Sequence, residues 1–338
     1  MSYDSFFPGA SPVARAVRLA VACALGMATT VTAAADWNYE PKVALSYEYD
    51  DNDRLTNVKG NEIEVSGPKL DAQLAMTAAT PTTTFLLAPR YRGTYYFEGE
   101  EDNSNDGFLN MALRNTGQRL ESYLLADWST VITLGNYFPS AQGTGDGDLG
   151  SPPTGDTVPY VAGKNRRDQW RITPGATYQL TERQSIGVNA EYLDTNFRKD
   201  VPGDYVDFQN LYVGGDYTLK TSQTSDLALV AGYSKYEPED GGSTDYWDVS
   251  GEWTKKWSET SEVFFRAGSS FVKSDEPGFK SDGYSSGFTG GAGVRWAFEI
   301  TNIFLDATQY MNPTSQGNVV TRSQVRFEVR RQLSQMMT

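Results

Sequence analysis

The stretch that decides the fold is Phe85-Leu-Leu-Ala-Pro-Arg-Tyr-Arg-Gly-Thr-Tyr-Tyr-Phe97-Glu98. Taken every second residue it splits into two sets. Phe85, Leu87, Pro89, Tyr91, Gly93, Tyr95 and Phe97 are apolar or aromatic, while Arg90, Arg92, Thr94, Tyr96 and Glu98 are polar or charged. In an extended strand the two sets point to opposite sides of the sheet. A soluble sandwich also alternates, but its aromatics do not gather at strand ends. Strands that face lipid on one side and a polar lumen on the other do show this pattern.

The same period recurs along the chain. Apolar phases precede the stretch at Val43 to Tyr49 and Leu70 to Met76, and follow it at Leu109 to Leu113, Leu124 to Trp128, Trp170 to Leu180 and Ile186 to Tyr192. The second half adds Leu211 to Leu219, Leu227 to Tyr233, Trp247 to Trp253, Val263 to Phe271, Phe288 to Phe298, Ile303 to Ala307 and Val319 to Val329. The count predicts an all-β, transmembrane, up-and-down antiparallel β-barrel of about 14 strands, an even number that returns the chain to the side it entered from. Two aromatic belts are expected. Tyr178, Tyr217, Trp257 and Phe298 belong to one interface, and Tyr49, Phe97, Trp170 and Trp247 to the other.

Residues 1–35 read as a signal peptide. Arg15 and Arg18 precede an apolar run from Leu19 to Val31, and Ala33, Ala34 and Ala35 lead to Asp36. That run is too short to span a bilayer as a helix, which needs roughly 18 apolar residues. Cys23, the only cysteine, lies inside it. It also allows a lipoprotein reading, although only four residues separate it from Arg18. Residues 36–338 are then expected to form one barrel domain, and no plug is expected, because the first strand starts close to the expected mature end. The net charge is −14, and removing the leader (one acid, two bases) makes it −15, which argues against nucleic acid as a partner.

Connections alternate in length. Thr181 to Ser185, Lys220 to Ser225 and Ser258 to Ser261 read as tight periplasmic turns, while Asp50 to Glu62, Glu98 to Asp106, Pro139 to Arg166, Glu237 to Asp245 and Lys273 to Ser285 read as long, acidic exterior loops.

Three stretches carry a family resemblance: Tyr47-Glu-Tyr-Asp-Asp-Asn52, Arg166-Arg-Asp-Gln-Trp-Arg-Ile-Thr-Pro-Gly175 leading to Tyr178-Gln-Leu-Thr-Glu-Arg-Gln-Ser185, and Val325-Arg-Phe-Glu-Val-Arg-Arg-Gln-Leu333. The chain resembles the β-barrel porins of proteobacterial outer membranes, some encoded near exopolysaccharide or surface-sorting systems. The resemblance covers nearly the whole mature chain and implies outer-membrane localisation and a transport role. Lipid, lipopolysaccharide and the barrel-assembly machinery are the implied partners. Many such barrels end on an aromatic residue, whereas here Leu333 is followed by Ser-Gln-Met-Met-Thr338, a departure that bears on recognition by that machinery.

The chain has no histidine, so the usual base for proton transfer near neutral pH is missing, as is any His-based metal site. A Ser–Lys or carboxylate-pair mechanism stays open on residue types alone; the expectation is a non-enzyme without cofactors. The polar phases supply the candidate pore lining: Arg90, Arg92, Arg114, Arg171, Arg266, Arg295, Arg322, Arg326 and Arg330, with Glu48, Asp71, Glu191, Asp216, Asp248 and Glu252. They imply a charged aqueous channel for small polar or saccharide solutes, or a narrow interior in which arginines and carboxylates satisfy one another. Ala141 to Gly163, rich in glycine and carrying Asp146, Asp148 and Asp156, is the candidate constriction loop, and a plain surface loop fits its composition equally. Glu98, Glu100, Glu101, Asp102 and Asp106 crowd five carboxylates together, which suits hard cations without matching a calcium-loop spacing. The rival reading is a non-conducting structural or adhesive barrel with acidic, cation-bridged loops.

Overall fold

The computed structural model describes residues 35–50, 65–97, 103–134, 164–198, 206–239, 242–275, 284–313 and 319–331. Every regular element in them is a strand: β1 (Asp36–Asp50), β2 (Val65–Ala79), β3 (Thr83–Thr94), β4 (Ser104–Thr116), β5 (Leu120–Leu134), β6 (Lys164–Thr181) and β7 (Gln184–Arg198), then β8 (Phe208–Ser222), β9 (Ser225–Pro238), β10 (Thr244–Lys256), β11 (Ser261–Ser274), β12 (Ser285–Ala297), β13 (Thr301–Pro313) and β14 (Val319–Arg331). They form one 14-stranded sheet in sequence order, and each strand is antiparallel to the next. The architecture is that of an up-and-down β-barrel wall. Among the described residues no ladder joins β1 to β14.

The wall is held by its tight turns. At one end the connections after β2, β4, β6, β8, β10 and β12 span only two to four residues. Backbone bonds close them: the Thr80, Gly117 and Phe298 amides donate to the Thr83, Leu120 and Thr301 carbonyls at 2.8 Å each. Hydroxyls close others, with the Arg183 amide donating to Thr181 Oγ1 and the Thr224 amide to Ser222 Oγ, both at 3.2 Å. The three tight turns expected from sequence are all at this end. The leader up to residue 34, the residues after Arg331, and most of the long connections, including Asp146, Asp148 and Asp156, lie outside the described residues.

Register carries the period-two pattern across the whole sheet. Leu45 lies opposite Leu70, Ala72 opposite Tyr91, Leu87 opposite Met111 and Leu113 opposite Leu124. Further round, Ile172 meets Tyr192, Tyr217 meets Leu229, Trp253 meets Phe265 and Leu305 meets Phe327. All fourteen apolar phases therefore share one face. Large side chains on it stand open: Val188 and Leu229 are 58% and 57% exposed. So many bare apolar groups on one continuous face mark a surface that meets an apolar medium rather than water.

Three features depart from the simple two-face expectation. Asp106, read as the last acid of an exterior loop, belongs to β4, because Gly107, Phe108 and Leu109 continue its ladder with β3. Near the loop end, the apolar face turns polar on β6 to β10, where Arg198 pairs with Asp168 at 2.9 Å and Tyr233 Oη donates to Asp245 at 2.6 Å. The opposite face carries apolar residues at that end: Leu193, Phe197 and Phe208 form a buried cluster with Tyr236, and Tyr246 packs on Val272. Alternation assigns a side but not a height along the strand, and these strands rise beyond the apolar band.

The expected aromatic sets also separate along the strands. Trp170 enters β6 at its loop end and Tyr178 leaves it at its turn end, eight residues or about 27 Å of strand away. Trp247, near the loop end of β10, and Trp257, the residue after its last, are separated in the same way. At the loop end Trp128 lies 6.0 Å from Trp170, and Tyr233 lies 4.4 Å from Trp247, ring centre to ring centre.

Candidate functional site

Every predicted pore-lining residue falls on the face opposite the apolar one. Arg92 lies across from Asp71, Glu252 from Arg266, Arg171 from Asp127, Glu191 from Tyr212, Asp216 from Gly187 and Asp248 from Gly232. Arg114 sits opposite Tyr123, Arg322 opposite Tyr310 and Arg330 opposite Asn302. Antiparallel register thus gathers residues from distant parts of the chain onto a single charged wall.

The wall divides into sectors. On β1 to β4, Lys69 Nζ bonds Glu48 at 2.9 Å, Arg90 Nε bonds Asp71 at 2.8 Å, and Arg92 bonds Asp106 at 2.8 Å. Arg90 and Arg92 both lie over the ring of Phe108, at 5.4 Å, within cation–π distance. Asp106 is a hub: it also accepts from the Ile132 amide at 3.2 Å, and Arg166 Nη1 stands 3.9 Å from it.

A second charged sector runs from β10 to β14. Arg266 lies 3.7 Å from Glu252, Arg295 3.5 Å from Glu262 and Arg326 Nε 2.9 Å from Asp306. Phe304 supports Arg295 at 5.7 Å and Arg326 at 4.4 Å, repeating the role of Phe108. Arg330 turns onto Glu328 of its own strand.

Between them, β7 to β9 and the loop-end halves of β10 and β11 present a mostly uncharged wall. Ser234 Oγ donates to Asn210 Oδ1 at 3.1 Å, and the Tyr246 and Ser270 hydroxyls are 2.8 Å apart. Asp216 and Asp248 stand here, and neither makes a salt bridge among the described residues. Arg171 and Glu191 at the border are 4.0 Å apart.

Sequence reasoning placed the arginines but missed much of what holds them. Asp106, Glu262, Asp306 and Glu328 are acid partners, and Phe108 and Phe304 are the plates beneath the guanidinium groups. Their polar-phase positions were a usable signal, but which of them meet is set by register, which lies outside any one strand. Among the described residues no three acidic side chains cluster as a metal site. Asp106, the one described member of the five-carboxylate group, is engaged with Arg92 instead.

No protein-family model and no curated protein sequence matches the chain. Among solved structures, the ferric-catecholate import receptor Fiu of E. coli K12 aligns with a TM-score of 0.49 at 10% identity, over 86% of this chain and 56% of the receptor. This chain therefore spans little more than half the receptor's length. The toluene transporter TodX of Pseudomonas putida aligns at 0.35 and 14% identity over 89% and 90% of the two chains. A loop-deletion mutant of OmpT, an outer membrane protein of Vibrio cholerae, aligns at 0.39 and 13% over 78% and 98%.

Proposed function

We propose that the protein is an outer-membrane, porin-like channel for the passive passage of small polar or saccharide solutes, exported by its leader. The observation that carries this reading is the two-sidedness of the sheet through its apolar band, below the loop-end rim where the faces exchange character. Fourteen strands keep apolar groups on one face and cross-linked arginines and carboxylates on the other, an arrangement that suits lipid outside and water inside. Fourteen strands at ordinary spacing and tilt enclose a backbone cylinder of about 13 Å radius, too wide for wall side chains alone to fill. A link to exopolysaccharide export is the finer form of the proposal, and the hydroxyl, carboxamide and tyrosine groups of β7 to β11 are chemistry that a saccharide can use.

Reconstitution into planar bilayers tests the reading. Folded protein should give open-channel steps, and deletion of Ala141 to Gly163 should enlarge them where that segment narrows the lumen. Folded protein without conductance, before and after deletion, would favour the structural or adhesive barrel instead.

A further inference from the structure

β1 and β14 each have a single neighbour, and both edges are bare. Leu45 is 77% exposed on one, and Val325 75% on the other. Along such an edge the backbone N–H and C=O groups lack partners, which hydrocarbon does not tolerate. The two edges also differ in charge on the charged face. β1 carries Asp36, Glu40, Lys42 and Glu48 there, and β14 carries Arg322, Arg326, Glu328 and Arg330.

Geometry narrows how they could meet. The strands alternate in direction, so β14 runs antiparallel to β1, and odd-numbered residues face the apolar side in both. Only registers two residues apart therefore keep like faces together. A row followed across the ladders from Trp37, at the turn end of β1, passes Leu113, Leu124, Tyr233 and Phe271. With the β12–β13 register extended, it reaches Val319 at the loop end of β14. Closing the sheet on itself must absorb that climb. A climb of about 14 residues gives a strand tilt of about 35°, at the shallow end of the range for membrane barrels.

We infer that β14 closes on β1 in the register that sets Tyr49 opposite Thr321 and Leu45 opposite Val325. Of this register and the two nearest to it, this one makes the seam a charge ladder, with Glu48 opposite Arg322, Lys42 opposite Glu328 and Glu40 opposite Arg330. A shift of two residues one way sets Lys42 against Arg326 and Glu40 against Glu328. The opposite shift sets Lys42 against Arg330. Both place like charges directly across the strands, which destabilises pairing. In the structure Lys42 and Arg322 make no ion pair among the described residues, while Glu48 is held by Lys69 at 2.9 Å and Arg330 turns back onto Glu328, so closing the seam shares or exchanges those two contacts. The occupant of each edge is thus the other edge of the same chain.

The inference rests on the barrel reading, yet its test reads register whether or not the barrel conducts. Cys23→Ser removes the only cysteine. Into that background go Ser46→Cys with Gln324→Cys, a neutral pair directly opposed in the proposed register, and two controls pairing Ser46→Cys with Arg322→Cys or Arg326→Cys. Protein refolded in lipid vesicles is oxidised and run without reductant, folded material being recognised by its altered mobility before heating. The Ser46/Gln324 pair should crosslink within one chain several-fold more than either control. Preferential crosslinking of a control overturns the register, crosslinked dimers overturn the intramolecular seam, and absence of crosslinks in folded protein overturns closure. As a second measurement, Glu48→Arg should lower resistance to urea and added Arg322→Glu should restore it; failure of that rescue counts against the ladder.

Discussion

Asp306 shows what one residue is asked to do. Its carboxylate is almost wholly buried, while its partner Arg326 keeps about half of its side chain in solvent. The two partners are therefore unequal. Removing Arg326 leaves a buried charge without compensation, whereas removing Asp306 leaves an arginine that water can solvate. Arg326→Ala should lower the unfolding free energy by about 3 kcal/mol and Asp306→Asn by about 1 kcal/mol, measured by urea titration in vesicles. Equal losses would mean that the pair is not asymmetrically buried. Gly214 is a second such point, because the tip of Tyr212 and the Asn189 carboxamide close over it: a Cβ there would stand 2.4 Å from the tyrosine hydroxyl and 2.8 Å from Asn189 Oδ1. At Gly251 nothing lies within 4 Å. Gly214→Val should cost about 1–3 kcal/mol, and Gly251→Val should be neutral or mildly stabilising, since a branched side chain favours a strand.

At the level of the strand, the sequence was legible wherever one face had to differ from the other. Phe85 to Phe97 announced both its extended form and its phase, and the ladders place all fourteen phases on a common side. What stayed hidden depends on neighbours. That Asp106 holds Arg92, or that Phe304 carries two guanidinium groups, follows from which residue of the next strand stands opposite, and no local period encodes it. Height was equally illegible: Leu193, Phe197 and Phe208 have the phase of the charged face, yet pack together near the loop end. The phase assignment predicts a sharp contrast between neighbouring strands. Val188→Arg, on the apolar face of β7, should cost about 2–4 kcal/mol if it meets the bilayer near mid-depth, whereas Thr173→Arg on the charged face of β6 should fold normally. Folded yield in vesicles, scored by gel mobility, separates the two.

For the molecule as a whole, the charges of the wall are largely paired across strands, while the overall excess of acid resides elsewhere. A conducting pore should then discriminate only modestly between cations and anions. Whatever preference it has should arise near the acidic mouth and fade with salt, since the screening length falls from about 10 Å at 0.1 M to about 3 Å at 1 M. Reversal potentials measured across a fixed salt gradient at low and high ionic strength check this. A strong preference that survives 1 M salt would place the selective charges deep in the wall instead. Because each ladder joins only strands adjacent in sequence, the wall is a string of equivalent hairpins. Excising one, such as β7 with β8, would leave β6 beside β9 with direction and facing unchanged, in a cylinder of about 11 Å radius. Bore in this architecture is thus a quantised property, altered by gain or loss of one repeat unit at a time, and open to gene duplication without invention of a new contact.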